Sequence, residues 1–337
     1  MHVEAAGLLD WRITADEPSA VPIEKHLLQP FGLSVAAPAF EDAVEHVIGW
    51  ARDADLGRFV CLANVHMLVE ATRHHRLLTA LQEADLVLPD GMPLVWMMSR
   101  QVDSVDRIAG MDLLPALCRR AAAAKIPVFV WGGRSETLRA VRARLEREHP
   151  EIRIAGMRAA GLGRLPRIER QRALDEIAAS RARLVFVGLG CPRQELWMHR
   201  HRDSVRAVMV GVGGALDVFA GLRRRAPQML QRLGLEWAYR LIQDPRRMGP
   251  RYFDTNTAFG WLLLRHWLLG PSRNGNGPFS PVSGRGSLGS PGHDGVQRQR
   301  PGITITARDV VAVREIADAH GPLEAKLASR RIGDGAR

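Results

Sequence analysis

Cysteine and lysine are both scarce in this chain of 337 residues. Its three cysteines, Cys61, Cys118 and Cys191, are widely spaced, which fits neither a disulfide framework nor a CxxC metal site. We therefore expect a reducing compartment. Three of the 47 basic residues are lysines, so the formal net charge of +11 is carried by arginine, whose planar guanidinium suits phosphate and carboxylate groups.

The sequence also lacks an apolar run long enough to span a membrane. The first ten residues contain Glu4 and Asp10 and do not have the basic start and apolar core of a signal peptide. The most apolar late stretch, 258–269, is shorter than the ~20 residues that cross a bilayer, and Arg265 and His266 interrupt it. We expect no secretion and no spanning helix, although this stretch is able to lie on a membrane surface.

The positive charge is concentrated near the carboxyl end. Between residues 223 and 251, eight arginines stand against two acids, Glu236 and Asp244. Residues 270–294 have Gly, Pro or Ser at 16 of 25 positions, a composition that favours a flexible linker. The residues beyond it are too few to form a core of their own, so we expect the tail over 270–337 to be disordered.

Six short apolar segments alternate with helical patterns and predict an α/β fold. The segments are residues 59–63, 86–88, 128–131, 152–155, 184–187 and 208–212. Strands that are apolar on both faces and separated by ~10–20 helical residues form a mostly parallel, Rossmann-like sheet flanked by helices. Right-handed crossovers would place the functional loops at the carboxyl ends of these strands.

Polar residues and glycines follow five of the six strand candidates. They are Asn64 and His66 after the first, Asp90 and Gly91 after the second, Gly132 and Gly133 after the third, Gly190, Gln194 and Glu195 after the fifth, and Gly213, Gly214 and Asp217 after the sixth. These loops converge on one edge of a parallel sheet, which makes them candidates for substrate binding. The glycine pairs suit close approach of the backbone to phosphate, although each pair alone also fits a tight turn.

Asp90 is the sharpest candidate for catalysis. A carboxylate in a glycine-bearing turn at a strand end can accept a proton from a substrate hydroxyl when its pKa lies below the working pH. An ordinary Asp-Gly turn, in which the side chain bonds its own backbone, is the alternative. Spacing alone leaves both interpretations open.

Neither a dinucleotide cofactor nor a metal ion is expected. The two GxG segments miss the GxGxxG fingerprint because Arg193 and Leu216 occupy its last position, and an oxidoreductase is therefore disfavoured. The acidic triplet over 53–55 precedes the first strand candidate, so it would lie at the wrong edge of the sheet.

The basic segment has a helical pattern. Residues 228–243 predict a single helix with an apolar face, which Pro245 is expected to end. Basic residues beside aromatic and leucine-rich stretches are typical of binding to an anionic membrane surface. Nucleic-acid binding and a solvated helix face are the alternatives, since arginine neutralises phosphates of either kind.

Six ordered motifs resemble the WecG/TagA/CpsF family of glycosyltransferases. They are Asn64-x-His66-Met67, Ala84 through Pro89-Asp90-Gly91, Arg107-x-Ala-Gly110-x-Asp112, Gly188-Leu-Gly190-Cys-Pro-Arg-Gln194-Glu195, Val212-Gly213-Gly214 through Asp217 to Gly221, and Arg225-Ala-Pro227 through Glu236-Trp237-x-Tyr239-Arg240. The resemblance covers roughly residues 35–255. The chain departs from it at Leu62, where the family often carries threonine, and at Gly249-Pro250.

The resemblance implies transfer of a sugar from a UDP-sugar to a polyprenyl-diphosphate-linked saccharide in cell-surface polysaccharide synthesis. The family's enzymes are inverting and metal-independent, so no cofactor is implied, and the residue matching Asp90 is their proposed general base. Residues matching Asn64 and Gln194 lie in the family's pocket, and Gly110 belongs to a matching motif. The donor sugar stays open.

The resemblance also implies roles for the carboxyl-terminal part of the chain. Arginines there complete the family's site over the diphosphate at the membrane, and Arg240, Arg247 and Arg251 are the candidates. We therefore expect a cytoplasmic protein that is peripheral on the inner face of the plasma membrane. Its partners would include an anionic membrane surface and no nucleic acid, and association into a homo-oligomer stays open.

The chain is thus predicted to divide into four parts. These are an amino-terminal extension (1–34), the α/β glycosyltransferase core (35–221), a helical, basic and apolar membrane-associating appendage (222–269) and the disordered tail (270–337). A catalytically inactive nucleotide- or polyanion-binding protein of the same fold is the alternative function, motivated by Leu62 and the basic tail.

Overall fold

The fold comes from a computed structural model that describes residues 23–53, 57–160, 166–232 and 234–269. Its strands are β1 (Lys25–Leu28), β2 (Leu33–Ala36), β3 (Arg58–Ala63), β4 (Leu86–Pro89), β5 (Val128–Gly132), β6 (Ile154–Arg158), β7 (Leu184–Gly188) and β8 (Val208–Gly211). The first two form an antiparallel hairpin, and the other six form one sheet in the order β4-β3-β8-β7-β5-β6. The predicted tail over 270–337 lies outside the described residues.

The six-stranded sheet confirms the α/β prediction. Each of the six apolar segments is a strand, and the largest difference is β6, which begins two residues and ends three residues later than expected. All five pairings in the sheet are parallel, so the strands end at a common edge. That edge carries the loops in which the candidate site residues lie.

Helices cover both faces of the sheet. They are α1 (Phe40–Arg52), α2 (Val65–Arg73), α3 (His75–Gln82), α4 (Met92–Met98), α5 (Gly110–Ala123), α6 (Ser135–Glu148), α7 (Arg167–Ser180), α8 (Arg193–His201), α9 (Ala215–Phe219), α10 (Gln228–Arg232), α11 (Glu236–Gln243) and α12 (Pro245–Leu269). Along β3, Val60 and Leu62 join one core cluster with α1, α5, α6 and α9. Phe59 and Cys61 join the other cluster with α2, α3, α7, α8 and the hairpin. Alternate residues of one strand therefore feed two cores, as a sheet buried on both faces requires.

The single helix predicted over 228–243 is wrong. The chain forms α10 and α11 instead, because Gly234 between them has a φ of 71°, a left-handed conformation that interrupts an α-helix. A Cβ at Gly234 would lie 3.1 Å from the Cβ of Met92, so the break also permits a close contact with α4. Pro245 follows the end of α11 but also begins α12, since proline is tolerated in the first turn of a helix.

Helix α12 is anchored along its middle. The guanidinium of Arg73 on α2 donates two hydrogen bonds to the carboxylate of Asp254, with N···O distances of 2.5 and 3.0 Å. Phe259 stacks on Phe31 of the hairpin turn, with ring centroids 5.6 Å apart. These contacts join α12 to both the core and the hairpin, and through α12 they constrain where α11 lies.

Gly132 at the end of β5 provides a test of the packing at the site edge. Its φ is 123°, and a Cβ there would lie 2.5 Å from the carbonyl carbon and oxygen of Gly188. We expect Gly132→Ala to lower the free energy of unfolding by about 2 kcal/mol or more, because both strain and overlap oppose the methyl group. Urea denaturation followed by circular dichroism measures this value.

Gly49 within α1 is the matched control, since no heavy atom lies within 4 Å of a Cβ built there. We expect Gly49→Ala to stabilise the fold by ~0.5–1 kcal/mol, the usual gain from alanine in a helix. Equal stability of Gly132→Ala and the unsubstituted protein would contradict the packing argument.

Candidate active site

Asp90 lies where β4 ends at the site edge. Its backbone N–H donates to the carbonyl oxygen of Ala63 on the neighbouring strand at 2.8 Å. Its carboxylate is partly buried; Oδ1 accepts a hydrogen bond from the backbone N–H of Gly110 at 3.2 Å, and Oδ2 accepts one from Nδ2 of Asn64 at 3.5 Å. The carboxylate is thus held by two other loops, which is not the local Asp-Gly turn considered from the sequence.

Asn64 orients itself for this contact by capping α2. Its Oδ1 accepts a hydrogen bond from the backbone N–H of Met67 at 3.1 Å, as is usual for asparagine at an N-cap. With the amide oxygen occupied, the amide nitrogen points to Asp90. Capping therefore fixes which end of the side chain faces the carboxylate.

Burial is the largest influence on the pKa of Asp90 and raises it. The positive charge of Arg240 lowers this pKa, the negative charge of Glu236 raises it, and the hydrogen bonds from Asn64 and Gly110 lower it. The net direction is upward. A carboxylate whose pKa moves toward the working pH is a stronger proton acceptor, provided it stays ionised.

An ionic network lies beside Asp90. The carboxylate of Glu236, which is 7% exposed, accepts hydrogen bonds from Nη1 of Arg107 at 3.1 Å and Nη2 of Arg240 at 3.0 Å. Asp112 accepts two from Arg225, both at 2.6 Å, and lies 4.0 Å from Nη2 of Arg107. Core and appendage therefore meet through alternating charges.

Four members of this network were not predicted as site residues: Arg107, Asp112, Arg225 and Glu236. All four lie in the motifs that carry the family resemblance, which was the available signal. Sequence spacing could not show that these motifs meet, because Arg107 and Glu236 are 129 positions apart.

Arg240 is the arginine of the network whose charge acts on Asp90. Its side chain is 46% exposed, and besides Glu236 its Nη2 contacts the sulfur of Met111 at 3.6 Å. The backbones of Arg247 and Arg251 lie in α12, but the structure does not describe their side chains. The role of these two arginines therefore stays a prediction.

Gln194 and Glu195 form a second, buried polar group. Oε1 of Gln194 accepts a hydrogen bond from the backbone N–H of Gly190 at 3.2 Å, and its Nε2 donates to Oε1 of Glu195 at 2.6 Å. A Cβ on Gly213 would lie 3.3 Å from Oε1 of Gln194, so this amide packs between the loops after β7 and β8. Its observed contacts are within the protein, and substrate binding by this pair stays a prediction.

The other candidate residues at this edge of the sheet make hydrogen bonds and ion pairs within the protein. Gly133 donates from its N–H to the carbonyl oxygen of Gly188 at 3.0 Å, and its own carbonyl accepts from Ala160 at 3.0 Å. Asp217 accepts a hydrogen bond from the hydroxyl of Thr137 at 2.9 Å and lies 3.7 Å from Arg223. Structural roles explain these contacts, and substrate binding by Gly132, Gly133, Gly190, Gly213, Gly214 and Asp217 stays a prediction.

Gly110 lies between Asp90 at the end of β4 and the start of α9, which follows β8. Its N–H reaches Asp90, while a Cβ on it would lie 3.0 Å from Leu62 and 3.5 Å from Ala215. Gly91 is the N-cap of α4 and adjoins Asn64. His66 instead has its Nδ1 3.4 Å from the hydroxyl of Thr255 on α12, so it lies at the docking surface of that helix.

The polar groups of the site are carboxylates, amides, guanidinium groups and backbone N–H groups. Across the described part of the chain, no group of three or more His, Cys, Asp or Glu side chains is arranged to hold a metal ion. None of the described helices is both long enough and apolar enough to cross a membrane.

Comparison with known proteins identifies the family. Residues 28–273 match the glycosyl transferase WecG/TagA/CpsF family. The chain is 37% identical over 207 residues to the N-acetylglucosaminyldiphosphoundecaprenol N-acetyl-beta-D-mannosaminyltransferase of Bacillus spizizenii, covering 60% of this chain and 78% of the relative. With the enzyme of the same name from Bacillus subtilis it shares 34% identity over 198 residues, covering 58% and 75%. The resemblance seen in the motifs is confirmed, and the chain belongs to the WecG/TagA/CpsF family of glycosyltransferases.

Proposed function

We propose that this glycosyltransferase moves a sugar, with inversion and without a metal ion, from a UDP-sugar to a polyprenyl-diphosphate-linked saccharide. Asp90 is the general base. The observation that carries the proposal is the setting of Asp90: a carboxylate at the strand-end edge, held by Asn64 and Gly110 in the field of Arg240. Each carboxylate oxygen accepts one hydrogen bond and keeps a further lone pair for a substrate hydroxyl.

The proposed step uses one carboxylate. Asp90 accepts the proton of an acceptor hydroxyl while that oxygen attacks the anomeric carbon of the donor sugar. The bond from this carbon to the diphosphate oxygen breaks, and its electron pair leaves with UDP. Attack from the side opposite the leaving group inverts the anomeric centre. Such inversion would make a β-mannosaminide, the product type in the relatives' name, from an α-linked nucleotide sugar.

The names of the relatives also support the class of acceptor. They describe N-acetyl-beta-D-mannosaminyl transfer with N-acetylglucosaminyldiphosphoundecaprenol. We propose an acceptor of this class here. The donor is a UDP-linked N-acetylmannosamine, its uronic acid, glucose or glucuronic acid, since a few pocket contacts decide between ring substituents.

Arginine takes the place of a metal ion in this proposal. Arg240 and Arg107 flank Glu236 next to Asp90, and the N–H of Ile108 bonds the carbonyl oxygen of Pro89 at 2.8 Å, which brings the Arg107 loop to the end of β4. Guanidinium groups bind phosphate oxygens with charge-assisted hydrogen bonds and stabilise charge as it develops on the leaving diphosphate. Arg247 and Arg251 are further candidates for this role.

The outer face of α12 supports a membrane role. Trp261, Leu264, Trp267 and Leu268 are all exposed, with Trp267 at 79%, and the arginine-rich segment precedes them in the chain. An apolar face beside basic residues suits an anionic membrane surface better than nucleic acid, which offers no hydrocarbon to bury it. We propose that the protein is peripheral on the cytoplasmic face of the plasma membrane, where a lipid-linked acceptor is presented.

The direct test is a panel of UDP-sugars assayed with a polyprenyl-diphosphate-linked N-acetylglucosamine, with and without EDTA. The proposal expects UDP release with at least one donor, no loss in EDTA, and a product of inverted configuration. Nucleotide binding without UDP release would support the inactive binding protein instead. A retained configuration would refute the single-base mechanism.

Asp90→Asn tests the assigned base. We expect kcat to fall by ~100-fold or more while the Kd for UDP-sugar changes by less than about twofold, because the amide cannot accept the proton but fills the same space. Asp175→Asn is the control, since Asp175 is an exposed acid on α7 that bonds Gln171. A folded Asp90→Asn enzyme with unchanged kcat would remove Asp90 from the role.

Asn64 allows capping to be separated from contact with the base. Asn64→Ala should lose about 1 kcal/mol of stability, whereas Asn64→Ser keeps a good N-cap that is too short to reach Asp90. In both variants the pKa of Asp90 should rise, because the hydrogen bond that lowers it is gone. The acid limb of the kcat/KM profile should therefore move to higher pH by a few tenths of a unit. A limb that moves to lower pH would contradict this account.

Trp267→Ser combined with Leu268→Ser tests the membrane face. We expect affinity for phosphatidylglycerol vesicles to fall by about tenfold or more, because two exposed apolar side chains no longer enter the bilayer. Ile168→Ser is the control, as Ile168 is 57% exposed on α7 and lies outside the appendage. Co-sedimentation with vesicles measures the affinity, and equal sedimentation of all variants would count against the membrane role.

A further inference from the structure

Glu236 is a buried acid that the proposed reaction does not use. It opens α11, where the helix dipole favours an acid, but the dipole does not require the carboxylate to be buried. Each of its oxygens accepts a hydrogen bond from a different part of the chain: Oε2 from Arg107 of the core and Oε1 from Arg240 of its own helix. A carboxylate that is buried between two guanidinium groups sets where both of them lie.

We propose that Glu236 is a positioning residue that holds the Arg240 guanidinium beside Asp90 while keeping it from pairing directly with the Asp90 carboxylate. The proposal rests on the role of Asp90 as general base. Arg240 is long and half exposed, and Asp90 is the carboxylate other than Glu236 whose charge acts on it, so without Glu236 its guanidinium would turn to Asp90. A direct ion pair would occupy the oxygen that must take the proton and would weaken it as a base.

The groups around Asp90 come from three directions. Asn64 at the start of α2 and Gly110 at the start of α5 supply neutral hydrogen-bond donors. Arg240 and Glu236, both on α11, supply the charges that act on it. The neighbouring charges that act on Asp90 therefore belong to the appendage, while its hydrogen-bond donors belong to the core.

The core in turn fixes Glu236. Arg107 bonds Glu236 through Nη1, and its Nη2 lies 4.0 Å from Asp112. Asp112 in turn accepts hydrogen bonds from both terminal nitrogens of Arg225. This chain of alternating charges anchors Glu236 at its core side. Arg240, bonded at the other oxygen, is the end of the chain that remains half exposed.

Two substitutions with opposite expected effects test the proposal in the full-length enzyme. Glu236→Gln removes a negative charge and releases Arg240, and both effects lower the pKa of Asp90. The acid limb of kcat/KM should then move to lower pH by ~0.5–1 unit, with a plateau reduced by about tenfold. Arg240→Gln removes the positive charge, so the limb should move to higher pH.

Asp254→Asn is the control for loosened docking of the appendage. Asp254 pairs with Arg73 and anchors α12, so this variant weakens docking without altering the charges on α11. Its acid limb should stay in place. Circular dichroism verifies folding, and if Glu236→Gln does not fold, the half-exposed Arg240→Gln decides the question by the direction of its limb.

The outcomes separate this proposal from the one on which it rests. An active Asp90→Asn enzyme would overturn the base and the positioning role together. An inactive Asp90→Asn enzyme with unshifted limbs in Glu236→Gln and Arg240→Gln would overturn the positioning role alone. Equal shifts in Glu236→Gln and Asp254→Asn would also overturn it, because loosened docking would then account for the effect.

Discussion

The burial of Glu236 between two arginines is the interaction on which the site depends. A carboxylate that is almost removed from water needs charged partners, and here the partners come from the core, through Arg107, and from α11, through Arg240. Losing either arginine would leave a buried charge poorly compensated. The helices after the sheet are therefore tied to the edge that carries Asp90 by electrostatics as well as by packing.

The packing of the appendage against the core also determines which of its side chains are exposed. Asp254 and Phe259 hold the inner side of α12 against α2 and the hairpin, which leaves Trp261, Trp267 and their apolar neighbours on the outer side. The appendage thus presents charged groups to the site through α11 and an apolar face outward through α12. A lipid-linked substrate needs both properties, since its reacting sugar is polar and its anchor is hydrocarbon.

Some features of the fold left little trace in the sequence. The strands of the β1–β2 hairpin have four residues each, too short to show a clear period. Gly234 did not predict the break before α11, because a single glycine is tolerated within a helical pattern. Glu236 stood at a helix start, where an acid needs no further explanation. By contrast, the six sheet strands were visible because both of their faces are apolar.

The α/β architecture, the family and the choice of Asp90 as the candidate base could all be inferred from the sequence. These follow from local apolar patterns and from ordered motifs, which are properties of neighbouring residues. Which polar groups meet depends on the tertiary structure: Asn64 and Asp90 are 26 positions apart, and Arg107 and Glu236 are 129. Parallel pairing brings the strand ends to one edge, and the break at Gly234 and the anchoring of α12 together place α11 over it. The effect of each neighbouring charge on the pKa of Asp90 depends on its distance and on burial. Neither quantity is encoded in the spacing of residues along the chain.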